Sequence, residues 1–465
     1  MTARLHDWIL TRAGDEAALE GAGAIYSRAA LSREAELLAA KLRDAGVVRS
    51  EPIVLQINNE PSDVFGFLAI WMAGAVAVPL HAGAAASTRE MVASRTGSRF
   101  SVAAGAVLTI ALDAPPDRPL LKDAAVIVFT SGSTGVPKGV VIGHEGFIAK
   151  LEMLSEFLPL TSEDVVLCPL QLTFIFGMWV TFLGLARGAR VMLLAKFSMD
   201  AVGGLLRDCT VLAAVPTMLK MITASPKPAL SRLRTIFTGG ESLGHTLPGK
   251  LKEHFPLVQY FDLFGLTETG SCDFCLAPSH QSAGLGTIGH PLAGVEFKLV
   301  QTEFSQSENE GELQIKTPSR MLGYLDDPAL TDASFDGAFF KTGDLARIRE
   351  DGLVELVGRS KDIISRGGNK IAPLEIDNVF ARHPSIAAAM CFSIPHPNLG
   401  EALHMMVVPQ PSVAITEQEL RAWALTKIEK FKIPDQIHIV EALPVGRTGK
   451  ADRREARSWA LSKLH

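Results

Sequence analysis

The chain has 465 residues, 47% of them hydrophobic and 20% charged, with a net charge of −5. That length exceeds one simple core and predicts about two to four domains. The acid excess gives no reason to expect nucleic-acid binding. "MTARLHDWIL" has mixed charge and no apolar core of a signal peptide. The longest apolar candidate, 165–186, is broken by Pro169, Gln171, Thr173, Gly177, Thr181 and Gly184, so no stretch reaches the ~18 apolar residues of a membrane span. A cytoplasmic protein is expected. Five cysteines are too few and too scattered for a disulfide scaffold. Cys272 and Cys275 form a CxxC followed by His280, but a zinc site needs a second ligand pair nearby, so the pair reads as coincidence.

In chain order, 26–46 has helical periodicity and a stop at Gly46. "EPIVLQIN" (51–58) reads as a strand, "PSDVFGFLAIWMAGAVAVPL" as helix, turn and buried strand, and "AAVIVF" (124–129) as another strand. "ARVMLLA", "TVLAAVP" and "RTIFTGG" add three buried strands. The alternation predicts α/β architecture with parallel sheets. The stretch 101–122 reads as abbreviated. After about 290, "GVEFKLV", "GELQIKT" and "GLVELVG" are short alternating strands, as in a small β-barrel or meander. Beyond 360 the texture returns to mixed α and β, with "AAAMCFSIP" and "HMMVVPQ" as strands and 417–430 as a helix. The reading is a large domain over 1–358 and a smaller α+β domain over 359–465, joined by a hinge.

The stretch "TSGSTGVPKG" (130–139) follows a buried strand. Glycines let an anion approach the main chain, Ser and Thr hydroxyls add donors, and a Lys adds a mobile charge. This predicts a polyphosphate cradle. It is not a Walker A loop, because Pro137 precedes Lys138 and Gly139 follows it. "GLGTIG" (284–289) matches G-x-G-x-x-G but follows a polar segment and runs into His290-Pro291, so no dinucleotide site is expected there.

The chain resembles the adenylate-forming superfamily of acyl- and aryl-CoA synthetases, peptide-synthetase adenylation domains and luciferases. Five stretches carry the resemblance, in the family's order: "TSGSTGVPKG", "FTGGESL" (237–243), "FDLFGLTET" (261–269), "KTGDLARIREDGLVELVGRSKDIISRGGNKIAPLEID" (341–377) and "LPVGRTGKADRREAR" (443–457). It implies that a carboxylate attacks the α-phosphate of ATP, giving acyl-AMP and pyrophosphate, and that a thiol then displaces AMP. Two anions must meet, so positive charge is required.

On the resemblance, Thr130, Ser131, Ser133, Thr134 and Lys138 would hold the β- and γ-phosphates. Glu268 would bind Mg²⁺, and Thr267 would contact the α-phosphate. Gly240 and Glu241 would run along the adenine, with Phe264 against its face and Asp262 at its amino edge. Phe264 stands where a Tyr is common in the family. Asp344 would accept both ribose hydroxyls, and Arg359 would add donors to ribose or phosphate. Lys450 would bridge the substrate carboxylate and the α-phosphate. Lys361 falls at the family's hinge position. Gly367 and Gly368 would line a pantetheine tunnel after rotation of the C-terminal domain.

The acyl pocket is placed at Phe174, Phe176, Gly177 and Trp179, with Gly239 and Gly265. No Asp or Glu occurs from Val165 to Lys196. A buried ammonium needs a partner, so an α-amino acid is disfavoured. "PLQLTFIFG" also lacks the His found in many CoA ligases. Phe174, Phe176, Met178 and Trp179 suggest an apolar acyl or aryl acid, and the resemblance implies ATP, Mg²⁺ and CoA as its co-substrates. A carrier protein's phosphopantetheine is the alternative acceptor, and a non-catalytic nucleotide-binding relative is a further reading.

Overall fold

The structure is a computed structural model. It describes residues 4–463 except 13, 111–115, 131–136, 228–231, 245, 304, 306, 412 and 446–450. The large N-terminal domain is built on two sheets. The first has nine strands, in the order His290–Pro291, Phe274–Leu276, Gln259–Phe264, Thr235–Gly239, Val211–Ala213, Val165–Cys168, Arg190–Leu193, Ala17–Gly21 and Ala24–Ser27. Its strands from Gln259–Phe264 to Ala17–Gly21 are parallel, and its outer pairs are antiparallel. The second has seven strands: Gly323–Tyr324, Lys138–Gly143, Ala124–Thr130, Val76–His81, Pro52–Ile57, Phe100–Ala103 and Ala106–Thr109. Its middle four are parallel.

One apolar core joins these sheets through the helices Arg28–Asp44, Pro61–Met72, His144–Phe157 and Ile175–Arg187. Side chains on a strand alternate between faces. Thus Val166 and Cys168 enter this core, while Val165 and Leu167 enter a second core on the far side of the first sheet. At the centre, Trp71 meets Phe182 edge-on at 5.1 Å, and its indole N–H donates to the Ala125 carbonyl at 2.8 Å. This bond lets a large aromatic be buried without stranding its polar atom.

The helix predicted from 26 starts later. Ala24–Ser27 pairs as a strand with Ala17–Gly21, and the helix begins at Arg28. The Ser27 hydroxyl accepts from the Ala30 N–H at 3.1 Å and caps that start. The stretch after 100 closes the second sheet with the hairpin Phe100–Ala103/Ala106–Thr109. The meander predicted beyond 290 is a five-stranded antiparallel sheet made of Glu296–Val300, Glu310–Lys316, Phe339–Ile348, Phe335–Asp336 and Val354–Arg359.

The smaller C-terminal domain holds a five-stranded sheet of Asn369–Ile371, Ile364–Arg366, Gly400–Pro409, Ile386–His396 and Gln436–Ile439. Leu403, Met405 and Val407 face the helices Pro373–Phe380 and Glu417–Leu425, while Ala402 and Met406 face the helix Arg453–Lys463. The helix predicted over 417–430 ends at Leu425. Among the described residues, no helix is long and apolar enough to cross a membrane.

Candidate active site

Thr130, Gly239 and Phe264 all close parallel strands at their carboxyl ends, where open α/β sheets place ligands. Thr130 pairs with Lys138, the first residue of the returning strand. Ser131, Ser133 and Thr134 lie outside the described residues. The Lys138 ammonium stands 5.1 Å over the Tyr324 ring, and the Tyr324 hydroxyl donates to Glu268 Oε1 at 3.0 Å. Tyr324 therefore links the predicted cation to the predicted metal-binding carboxylate. Burial, with the Glu268 charge, pushes its phenol well above the ordinary range, so it stays a donor. Arg95 donates to the Pro137 carbonyl and lies 5.6 Å over Phe129, which braces the end of the same loop.

Glu268 belongs to the short 3₁₀ turn Thr267–Thr269. The next three residues are all left-handed: Gly270 at φ 77°, Ser271 at 68° and Cys272 at 53°. This reversal brings Cys272 against Gly265, where a Cβ would stand 2.2 Å from the Cys272 nitrogen. Only glycine fits there. The Met321 N–H donates to the Glu268 carbonyl at 2.7 Å, tying the turn to the segment that leads into Tyr324. Cys272 and Cys275 are free, buried thiols.

At the neighbouring strand, a Cβ on Gly239 would meet the Leu263 carbonyl at 2.3 Å. Gly240 has φ 80°. The Glu241 carboxylate accepts from the Thr217 hydroxyl at 2.7 Å and from its N–H at 3.2 Å. It thus serves the first turn of the helix Pro216–Ala224, where negative charge is favoured. Asp262 is half-buried among apolar groups, and desolvation pushes its carboxyl up to about 7. Phe264 is half-buried and meets Phe274 edge-on at 6.2 Å.

Asp344 is buried, 2% exposed. It pairs across the ladder with Arg359, whose guanidinium donates to Oδ1 at 2.6 Å. Oδ2 is buried without a partner. Burial pushes the carboxyl above its ordinary range, and the Arg359 charge opposes that shift. Lys361 lies exposed in the 3₁₀ turn Ser360–Asp362 just beyond. Gly367 and Gly368, at φ 56° and 84°, form the tip of the hairpin Ile364–Arg366/Asn369–Ile371. Two consecutive left-handed residues are what a type I′ hairpin loop demands. Lys450 lies outside the described residues.

In the predicted acyl segment, Phe174 is 52% exposed and precedes the helix Ile175–Arg187. Phe176 is half-buried and stacks on the fully buried Trp179 at 5.3 Å. Trp179 also reaches Phe237 at 6.2 Å, which sets this helix against the strand ending at Gly239. Gly177 packs on the preceding turn, where a Cβ would stand 2.4 Å from the Gln171 carbonyl.

Tyr324 and Arg95 were absent from the sequence-predicted site. Tyr324 is one of only three tyrosines in the chain, but its partner Glu268 is 56 residues away, so no local pattern marks it.

The model of the AMP-binding enzyme family matches residues 6–325, and that of the AMP-binding enzyme C-terminal domain matches 375–450. The chain is 28% identical to an oxalate–CoA ligase of Arabidopsis thaliana over 90% of each chain. It is 29% identical to a feruloyl-CoA synthase of Amycolatopsis over 95% of each. The fold matches ATP-bound MatB from Rhodopseudomonas palustris at a TM-score of 0.88, with 24% identity over 100% of both chains. Matched over more than half of its length by the first of these models, the chain belongs to the AMP-binding enzyme family of adenylate-forming ligases.

Proposed function

We infer that the protein is an ATP-dependent carboxylic acid–CoA ligase working in two steps. The acid first becomes acyl-AMP with release of pyrophosphate, and CoA thiol then displaces AMP. The observation that carries this reading is Asp344. A buried carboxylate with Oδ1 held by Arg359 and Oδ2 unpartnered is costly unless a ligand donor completes it. The two hydroxyls of a ribose are such donors, and Arg359, 47% exposed, keeps donors for an incoming oxygen.

In this reading Thr130, Ser131, Ser133, Thr134 and Lys138 hold the polyphosphate, and Thr267 contacts the α-phosphate. Glu268, oriented by Tyr324, offers a hard oxygen that suits Mg²⁺, which when bound offsets charge on the departing pyrophosphate. Gly240 and Glu241 flank the adenine, with Phe264 at its face. Asp262, its carboxyl pushed up by burial, stands at the adenine's amino edge. Lys450 carries its ammonium to the carboxylate and α-phosphate in the first step and leaves with the C-terminal domain in the second. We place the division at 358/359, with Lys361 at the hinge and the exposed Gly367–Gly368 tip turning in to line the pantetheine path.

Phe176, backed by Trp179, and the Gly239 and Gly265 surfaces would bound the acyl group, with the exposed Phe174 at the mouth. This favours an apolar acyl or aryl acid. Five buried free thiols accord with a reducing, cytoplasmic setting. The test is ATP–pyrophosphate exchange across a panel of aryl, aliphatic and dicarboxylic acids, followed by CoA. The expected result is exchange with an apolar acid and a CoA thioester. Exchange without thioester would move the acceptor to a carrier-protein arm, and no exchange with any acid would overturn the ligase reading.

A further inference from the structure

We propose that Lys150 is a positioning residue for the turn that bears Thr267 and Glu268. The proposal rests on the ligase reading above. Lys150 lies in the helix His144–Phe157, and its side chain is 0% exposed, as is that of Asp273. Its ammonium donates to Asp273 Oδ1 at 2.9 Å and to the Cys272 carbonyl at 3.1 Å. The other Asp273 oxygen, Oδ2, accepts from the Thr269 hydroxyl. Ammonium, carboxylate and hydroxyl thus form one buried chain that ends on the residue next to Glu268.

Stability alone does not call for this arrangement. Burying two charges costs more than a well-packed apolar pair, which often serves a fold equally well. The chain does meet a specific need. Ser271 and Cys272 carry side chains yet sit in the left-handed region, a conformation that persists only when its surroundings over-determine it. The ammonium holds the Cys272 carbonyl there, and the Ser319 hydroxyl holds the Thr269 carbonyl at 2.8 Å. These two clamps restrain the 267–272 reversal. Its shape sets where the Glu268 carboxylate and Thr267 hydroxyl stand.

Two variants separate positioning from folding. Lys150→Met with Asp273→Leu removes both charges together, and Thr269→Val breaks the link from the ion pair to the turn along with the hydroxyl's own contacts to the Leu266 N–H and carbonyl. In both we expect melting close to wild type, amides of 270–273 exchanging about tenfold faster, kcat for pyrophosphate exchange down about 10- to 100-fold, a raised Mg²⁺ requirement and little change in KM for ATP. Wild-type amide exchange with wild-type kcat and Mg²⁺ dependence in folded protein would overturn the proposal. If the double variant does not fold, Thr269→Val decides by the same readouts. A wild-type enzyme without carboxylate-dependent exchange would end the ligase reading, while the amide-exchange comparison still decides the role of Lys150.

Discussion

Asp344 is half-satisfied by its own protein, and that is where nucleotide affinity should be most sensitive. Hydrogen bonds to charged groups contribute about 1.5–3 kcal/mol. Asp344→Ala should therefore weaken ATP binding about 10- to 100-fold, since each ~1.4 kcal/mol is tenfold. Titration calorimetry reads this directly, and unchanged affinity would remove the ribose contact from the account. The role of Asp344 is suggested by "TGD" together with the resemblance. The residues proposed to orient the site carry no local pattern. Lys150 and Asp273 are 123 positions apart. Lys150 stands between Phe147 and Leu154 on the buried face of its helix, so a lone lysine at a core position was the one available signal. A charge there means little until its partner is known.

At the scale of elements, strands with unbroken apolar runs were legible, because both of their faces are buried. Short or polar ones were not. Ala17–Gly21 contains Glu20 and ends in glycine, and it exists because it adds in parallel to Arg190–Leu193. The first helix, Leu5–Ile9, is likewise set by tertiary contact. The Leu5 N–H donates to Nδ1 of the buried His144 at 3.2 Å. Burial, with the Arg4 and His6 charges, lowers the His144 pKa from 6.5 to about 3. Between those values the unfolded chain binds a proton that the folded chain refuses, so stability falls as pH drops below about 6.5. We expect the melting temperature to fall from pH 7 to pH 5, and His144→Gln to flatten that slope. An equal slope in the variant would place the acid sensitivity elsewhere.

For the whole molecule, the large domain supplies the strand ends and the acidic turn, while the last described residue before 446–450 belongs to the small domain. Sheet texture changes twice along the chain, near 290 where the five-stranded antiparallel sheet begins and near 360 where the C-terminal sheet begins, and both changes were readable as shifts in strand pattern. Only the resemblance offers Lys361 as a hinge, since it is otherwise an exposed charge. The central claim is that one cleft, completed by an ammonium from the C-terminal domain, brings the acid to ATP. It is tested by measuring the two half-reactions of Lys450→Ala separately. The account predicts that ATP–pyrophosphate exchange is lost while thioester formation from supplied acyl-AMP and CoA is largely retained. Survival of both half-reactions would contradict it.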